Sequence, residues 1–420
     1  MMPFSDPSSR RQLGWLALAC AWLAALALAA HGPPIGDELV HWSQILRFQQ
    51  GDFRIYEEYL TNIPGYHWLV TVVLWPFGTQ SLGAARLVTA LFTAVAVVLV
   101  HRIRRQLHPA DAQRTAALFL FLPVTFAYGF LVYTDIPALA FLLAALLATL
   151  RERHVVSALL LVASMAMRQN NVLWVVFLAV LAAWPLLCEA VVMLRRGRLP
   201  PRAWWAALLA RIWPYLAAFG GFCAYWASNG SIAYSTAQSA YSHPDFRPDV
   251  GNPIFLLVAA ALLLPFQVIA GWRRAFGIGA ARGWGRAVAL AIAVLLAYAV
   301  FFRVQHPSNL FTGNVRNQLL LAVAEGGWLG WGFGLLAALA AGGLLFSPPV
   351  MRRAGLWLPF SIFFVGASWM IETRYILVPL TLLLLFRRPQ ADWQERVTLA
   401  AWIVLSLGLV LWVFDRQMVP

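Results

Sequence analysis

Five short polar clusters interrupt an otherwise apolar chain of 420 residues, and they hold the side chains that can do chemistry. Gly36-Asp37-Glu38-Leu39-Val40-His41 offers two carboxylates and an imidazole, the groups of general acid–base catalysis. On a helix Asp37 and His41 share a face. Tyr133-Thr134-Asp135 adds a phenol and a third carboxylate. Arg168-Gln169-Asn170-Asn171 offers a guanidinium, whose planar fork of donors suits a phosphate, beside three carboxamides. His306-Pro307-Ser308-Asn309 is followed by Asn314, Arg316 and Asn317, and Glu372-Thr373-Arg374-Tyr375 closes the series. Each cluster also has a plain structural reading. Asp37 can cap a helix, with Glu38 at its positive end. Asp135 can cap a helix that starts Ile136-Pro137. Arg168 can anchor at an interface or pair with Asp135, and the last two clusters can be ion pairs or snorkelling arginines.

The elements that carry these clusters must be membrane helices. Hydrophobic residues make up 61% of the chain and charged residues 11%, against ~45–50% and ~25% in a soluble domain. That excludes an ordinary soluble enzyme, a disordered chain and an outer-membrane barrel, whose strands alternate apolar and polar. At ~20 residues per crossing, apolar runs at 13–30, 81–101, 115–131, 136–150, 155–167, 172–194, 208–228, 253–271, 287–302, 319–346, 355–370, 375–386 and 397–414 predict an all-α polytopic membrane protein of about thirteen transmembrane helices. The first run follows Arg10 and Arg11 and is long for a signal peptide, so it is read as an uncleaved span. The runs near 136–167 and 375–386 are short and need polar ends to complete a crossing.

Charge orients these runs. All 31 basic residues are arginine, and the net charge is +14. With a cytoplasmic N-terminus and alternating spans, most of the arginines fall in short cytoplasmic loops, as the positive-inside rule requires. The five clusters then share the exterior side. The chain reads as a single integral-membrane domain over 1–420, with exterior loops at 31–80, 228–252 and 303–318. Within the first of these, 38–48 and 66–77 have the pattern of interfacial helices, punctuated by Gly51 and Pro64-Gly65. Cys20, Cys188 and Cys223 stand alone in apolar stretches, without metal-ligand or disulfide spacing. No Walker-type phosphate loop is present, so ATP-driven transport is unsupported.

In order along the chain, these stretches resemble the dolichyl-phosphate-glucose α-1,2-glucosyltransferases of lipid-linked oligosaccharide assembly, members of the glycosyltransferase C superfamily. Gly36-Asp37-Glu38-Leu39-Val40-His41 is similar to the family's Asp-Glu-x-x-His segment, and Thr61-Asn62-Ile63-Pro64-Gly65-Tyr66 to its Thr-x-x-Pro-Gly-Leu/Tyr. Tyr133-Thr134-Asp135, Arg168-Gln169-Asn170-Asn171 with the following Trp174-Val175-Val176-Phe177, Asn229-Gly230-Ser231-Ile232, His306-Pro307 with Asn314 and Arg316, and Glu372-Thr373-Arg374-Tyr375 resemble further segments. Two stretches depart. Val315 separates Asn314 from Arg316, and Ala233-Tyr234-Ser235-Thr236 replaces the family's Gly-Asp-[Lys/Arg]-Ser.

The resemblance implies an inverting transfer of a sugar, expected to be glucose, from a polyprenyl- or dolichyl-phosphate donor to a glycan or lipid-linked glycan acceptor. Asp37 is the expected base, Glu38 the second choice, and His41 an orienting partner. Asp135, Arg168, Gln169, Asn171, His306, Asn314, Arg316, Glu372, Arg374 and Tyr375 are the expected substrate-binding residues, with Arg374, Arg316 and Arg168 on the leaving phosphate. Trp42, Tyr66 and Trp68 are candidates for stacking on sugars. No metal, cofactor or nucleic acid is expected. The composition suggests a bacterial inner membrane with a periplasmic site, or an endoplasmic-reticulum membrane with a lumenal site in a eukaryote. A transporter or flippase of lipid-linked sugars would instead place charges at span centres or show inverted repeats. A polymerase of lipid-linked saccharides would use a lipid diphosphate.

Overall fold

A computed structural model describes residues 7–55, 60–235, 246–313 and 315–416. The described chain is helical throughout, without strands. It opens with α1 (Pro7–His31), α2 (Glu38–Gln49), α3 (Gly65–Leu74) and the long α4 (Leu82–Leu107). The short α5 (Ala112–Leu120) and α6 (Pro123–Tyr128) follow, then α7 (Asp135–Leu150), α8 (His154–Met167), α9 (Val172–Arg195) and α10 (Arg202–Asn229). The second half comprises α11 (Gly251–Leu263), α12 (Pro265–Ile278), α13 (Gly285–Phe301), α14 (Pro307–Leu310), α15 (Val315–Ala324), α16 (Gly327–Leu345), α17 (Trp357–Gly366), α18 (Leu377–Phe386) and α19 (Asp392–Arg416).

The expectation of about thirteen spans is met only in part by the lengths of the helices. Among the described residues six helices are long and apolar enough to cross a membrane, or seven if the bent pair α11–α12 is one span. Trp15–His31, Asp135–Leu150, His154–Met167 and Thr373–Phe386 are apolar but shorter. Three runs that read as continuous are broken, each at a residue that cannot continue a helix. Pro123 starts α6 and holds Leu122 extended, which splits the run 115–131. Leu264, before Pro265, leaves the helical region, and α12 departs at 95° from α11. Gly326 and Gly327 both have positive φ and separate α15 from α16 within 319–346.

The short runs have a physical explanation. α18 is buried along its whole length and α7 along nearly all of its own. A helix that is apolar all round belongs in a core. Sheathed by longer neighbours, these two need not meet lipid at both ends. α2 and α3 form where the sequence predicts helices, with Gly51 at φ +80° after the first and Pro64 before the second.

Candidate active site

Site construction begins at Arg86, the one charged side chain in the apolar first half of α4. It is fully buried, as is Glu38 at the start of α2. Arg86 Nε and Nη2 donate to the two oxygens of Glu38 at 2.9 and 2.5 Å. Its remaining donors reach the carbonyls of Ala29, Gly32 and Pro33 at the end of α1. Glu38 also accepts the backbone N–H of Ile35 at 2.9 Å and of Val132 at 2.7 Å. Four donors occupy this carboxylate, so it braces α1, α2, α4 and the segment before α7. The geometry leaves it no free face for the role of second-choice base.

The brace turns the preceding residue outward. Asp37 N–H donates to the Tyr133 hydroxyl at 2.8 Å, and that hydroxyl donates to the Ile35 carbonyl at 3.2 Å. The Asp37 side chain is 57% exposed, and its carboxylate lies 3.0 Å from Arg374 Nη1.

Arg374 is held from behind. Its Nη2 lies 3.6 Å from Glu372, its guanidinium sits 5.1 Å from the Tyr133 ring centre, and Glu372 also pairs with Arg316. Burial pushes the Glu372 carboxyl up, but the Arg374 and Arg316 charges outweigh it and hold the group below its usual range. The backbone leading into this cluster is stitched by two buried carboxamides. Asn252 Nδ2 donates to the carbonyls of Ser368 and Met370, and its Oδ1 accepts Glu372 N–H at 3.0 Å. Asn309 Nδ2 donates to Ile371 O and Asn309 Oδ1 accepts Ile371 N–H, both at 2.9 Å.

On the facing wall Arg168 pairs with Asp135 and sits 5.5 Å from the Tyr375 ring centre. The second Asp135 oxygen is buried without a hydrogen-bond partner among the described residues. Gln169 Nε2 donates to the carbonyls of Thr61 at 2.8 Å and Ile232 at 3.2 Å, and Thr61 O also accepts Tyr234 N–H at 2.8 Å. Three stretches that resemble family segments therefore meet through one side chain.

Between these walls lies a cavity of about 570 Å³. Asp37, His41, Arg168, Gln169, Arg374 and Tyr375 supply its expected polar and charged lining, and Asp37 is the only carboxylate among the described residues that lines it. Thr61, Asn62 and Asn170 extend the polar side. Leu173, Phe246, Phe363, Phe364 and Met370 make the other side apolar. Phe246 and Phe363 are more than half exposed, so this apolar wall reaches the protein surface.

His41 is buried at the cavity edge, its ring edge-on to Tyr66 and Tyr133. Its Nδ1 shares a 3.0 Å hydrogen bond with Nε2 of His67. Burial first, and then the charges of Arg374 and Arg168, push the His41 imidazole down to about 3. Burial also pushes the His67 imidazole well below its usual range, and a charge on His41 would lower it more. Both imidazoles are neutral at physiological pH.

Several expected site residues stand behind the cavity. Asn171 is buried and donates to Ser164 Oγ at 2.8 Å. His306 is buried against Trp369, accepting Ser308 N–H at 3.1 Å. Arg316 reaches the cavity only through Glu372, and Asn314 lies outside the described residues. Tyr66 is buried, its hydroxyl 2.7 Å from that of Thr89, and Trp68 stacks on Phe48 and Phe53. Neither they nor Trp42 line the cavity. Sequence reading misses Arg86, His67 and Asn252. An ionisable residue within an apolar run is a signal that flags Arg86. His67 and Asn252 carry no such mark, because each matters only through a partner distant in sequence. No cluster of three or more metal-ligating side chains occurs among the described residues.

Residues 32–240 match the model of the DIE2/ALG10 family. The chain is 30% identical over 190 residues to an Arabidopsis thaliana protein named Dol-P-Glc:Glc(2)Man(9)GlcNAc(2)-PP-Dol alpha-1,2-glucosyltransferase, covering 40% of this chain and 37% of the relative. A Homo sapiens protein of the same name is 28% identical over 272 residues, covering 53% of this chain and 57% of the relative. The chain thus spans between about a third and somewhat over half of the length of these curated relatives. Among solved structures, ArnT from Cupriavidus metallidurans bound to undecaprenyl phosphate superposes with a TM-score of 0.41 at 14% identity, over 96% of this chain and 78% of that one. The ordered motifs, the family match over 32–240 and the same-named relatives from plant and human agree in what the chain resembles: it is similar to members of the DIE2/ALG10 family.

Proposed function

We propose that the chain is an inverting, membrane-embedded glycosyltransferase that moves glucose from a polyprenyl- or dolichyl-phosphate donor to a glycan or lipid-linked glycan. The observation that carries this reading is the cavity, with Asp37 as the only lining carboxylate among the described residues and Arg168 and Arg374 facing it. The named relatives support the donor class. The apolar wall that reaches the surface at Phe246 and Phe363 suits a lipid tail, and the arginines suit its phosphate.

In the proposed reaction the acceptor hydroxyl oxygen attacks the anomeric carbon. The carbon–oxygen bond to phosphate breaks, the lipid phosphate leaves with the electron pair, and Asp37 takes the hydroxyl proton. Arg374 and Arg168 stabilise the charge that develops on the departing phosphate. Asp135 holds Arg168 in place from behind the cavity wall. Glu372, Arg316, Asn252 and Asn309 hold Arg374, and His41 orients at the cavity edge. The scheme routes no step through a metal or cofactor. The positive-inside pattern supports a cavity on the exterior side, which in a bacterial inner membrane is the periplasm.

The test is a transfer assay with the full chain in lipid vesicles, using glucose on a polyprenyl monophosphate. The expected result is transfer by the wild type and none by Asp37→Asn. Near-wild-type transfer by that variant removes Asp37 from the chemistry. Transfer only from a lipid diphosphate sugar, or movement of the intact lipid across the vesicle without transfer, replaces the reading with a polymerase or a flippase.

A further inference from the structure

Opposite the cavity lies a second organised surface, built on α12. Its position follows from α11. That helix starts beside the site, where Asn252 bonds Glu372 N–H, and runs 13 residues, roughly 20 Å at 1.5 Å per residue. At its far end the chain turns by 95° into α12. Gln267, near the start of α12, donates to Ser347 and accepts from Gln390 at 2.6 Å, which fixes it beside the ends of α16 and the connection into α19.

α12 is clamped rather than loosely laid down. A Cβ on Gly271 would meet the Gly343 carbonyl oxygen at 1.8 Å, and one on Gly343 would meet the Val268 carbonyl at 2.5 Å. The backbones of α12 and α16 therefore touch. Trp272 Nε1 donates to Leu339 O at 2.9 Å. The turn after α12 folds back just as closely, since a Cβ on Gly283 would meet Ala275 O at 2.0 Å. Phe276 and Trp284 stack across this turn at 6.4 Å.

This folding gathers Arg273, Arg274, Arg282 and Arg286, all exposed, with exposed Ile269, Phe276 and Trp284 beside them. No acidic residue occurs between Gly251 and Ala324, and among the described residues no carboxylate forms an ion pair with any of the four arginines. At ~100° per residue Ile269, Phe276 and Arg273 fall within one ~60° arc of α12. Apolar anchors beside a row of guanidiniums are the pattern of a helix lying at the headgroup level of a charged leaflet. Topology alone requires arginines on this side, but not their assembly on a backbone-clamped helix.

We propose that α12 and the turn 279–286 form a binding surface for anionic phospholipid headgroups on the face opposite the cavity. Four guanidiniums are held within one rigid motif, and each offers planar donors to phosphate oxygens. The aromatic pair and Ile269 set the depth at which they sit.

The experiment uses the full chain in nanodiscs of phosphatidylcholine with or without phosphatidylglycerol, and native mass spectrometry counts the lipids that stay bound. The wild type is expected to retain phosphatidylglycerol over phosphatidylcholine by about tenfold. Arg273→Gln/Arg274→Gln/Arg282→Gln/Arg286→Gln should bring that preference to within about twofold. The corresponding four-lysine variant should keep most of it and shows whether the segment still folds. A control, Arg195→Gln/Arg196→Gln/Arg198→Gln, removes basic charge elsewhere on the same side and should leave the preference intact. Unchanged retention in the glutamine variant overturns the proposal, as does an equal loss in the control, which would mean diffuse charge rather than a built surface.

Discussion

Arg374 Nη1 lies 3.0 Å from the Asp37 carboxylate, joining residues from opposite ends of the chain across the mouth of the cavity. The carboxylate is the exposed partner, at 57% against 14% for the guanidinium, so it is the group an entering ligand can displace. A phosphodiester entering the cavity competes for the same guanidinium, and its binding would leave Asp37 free to accept a proton. On the proposed function, donor binding and unmasking of the base would be one event. Asp37→Asn is expected to abolish transfer with the unfolding temperature nearly unchanged. Arg374→Gln should lower kcat by about 10²–10³, the range for loss of one aimed donor. Radiolabel transfer and a thermal unfolding scan check both. An Asp37→Asn protein that still transfers, or one that no longer folds, removes this account.

Glu38 lies next to Asp37 in sequence but has a different task, because Arg86 and two backbone N–H groups fill its oxygens. Removing one partner strands a buried charge. Glu38→Gln and Arg86→Met are each expected to destabilise the fold by about 3–5 kcal/mol, and Glu38→Leu/Arg86→Met by less than the two single losses added. Thermal unfolding in detergent measures this. Equal stability of the single variants and the wild type would show that the brace is dispensable.

The His41–His67 pair makes acid, rather than base, the threat to the folded protein. Folded His41 sits at about 3, below the ~6.5 of a free imidazole. The unfolded chain therefore binds the proton first. The contribution from neutral His41 is complete above about pH 6.5 and is lost as pH falls towards 3. The unfolding temperature should drop across that window, and less so for His41→Gln. Transfer activity should show no histidine inflection between about pH 6 and 8. A protonation step in that interval, seen in the pH–rate profile and removed by His67→Gln, would contradict the buried neutral pair.

Asn252 and Asn309 do not line the cavity, yet they fix the backbone that carries Glu372 and Arg374. Asn252→Ala and Asn309→Ala should each cost about 1–3 kcal/mol, the loss expected when buried hydrogen bonds are left unmade. They should lower kcat more than they raise KM for the lipid donor. Steady-state kinetics separates the two effects. A change confined to KM would place these residues in donor binding instead.

Much of the architecture was legible in the residues. Composition specified a helical membrane chain, and the starts and ends of α7, α8 and α9 fall close to the edges of apolar runs. Misreadings occurred at Leu264-Pro265, Pro123 and Gly326-Gly327, where apolar side chains continue but the backbone cannot. Hydropathy senses side chains and not φ and ψ. It also read 136–150 and 375–386 as deficient spans, whereas α7 and α18 are core helices that need no full crossing because other helices surround them.

The chain alone decided which residue types were available for chemistry, because so few polar groups interrupt an apolar background that each is conspicuous. Only the tertiary structure decided which of them face the cavity. Asp37 and Glu38 are indistinguishable as neighbours in a motif, but successive helix positions point about 100° apart. That rotation buries Glu38 against Arg86 and leaves Asp37 in front of Arg374. Pairings such as Asp37 with Arg374, or Asn252 with the backbone of Glu372, join positions hundreds of residues or a hundred residues apart. They exist because helices pack in space, and linear spacing does not encode them.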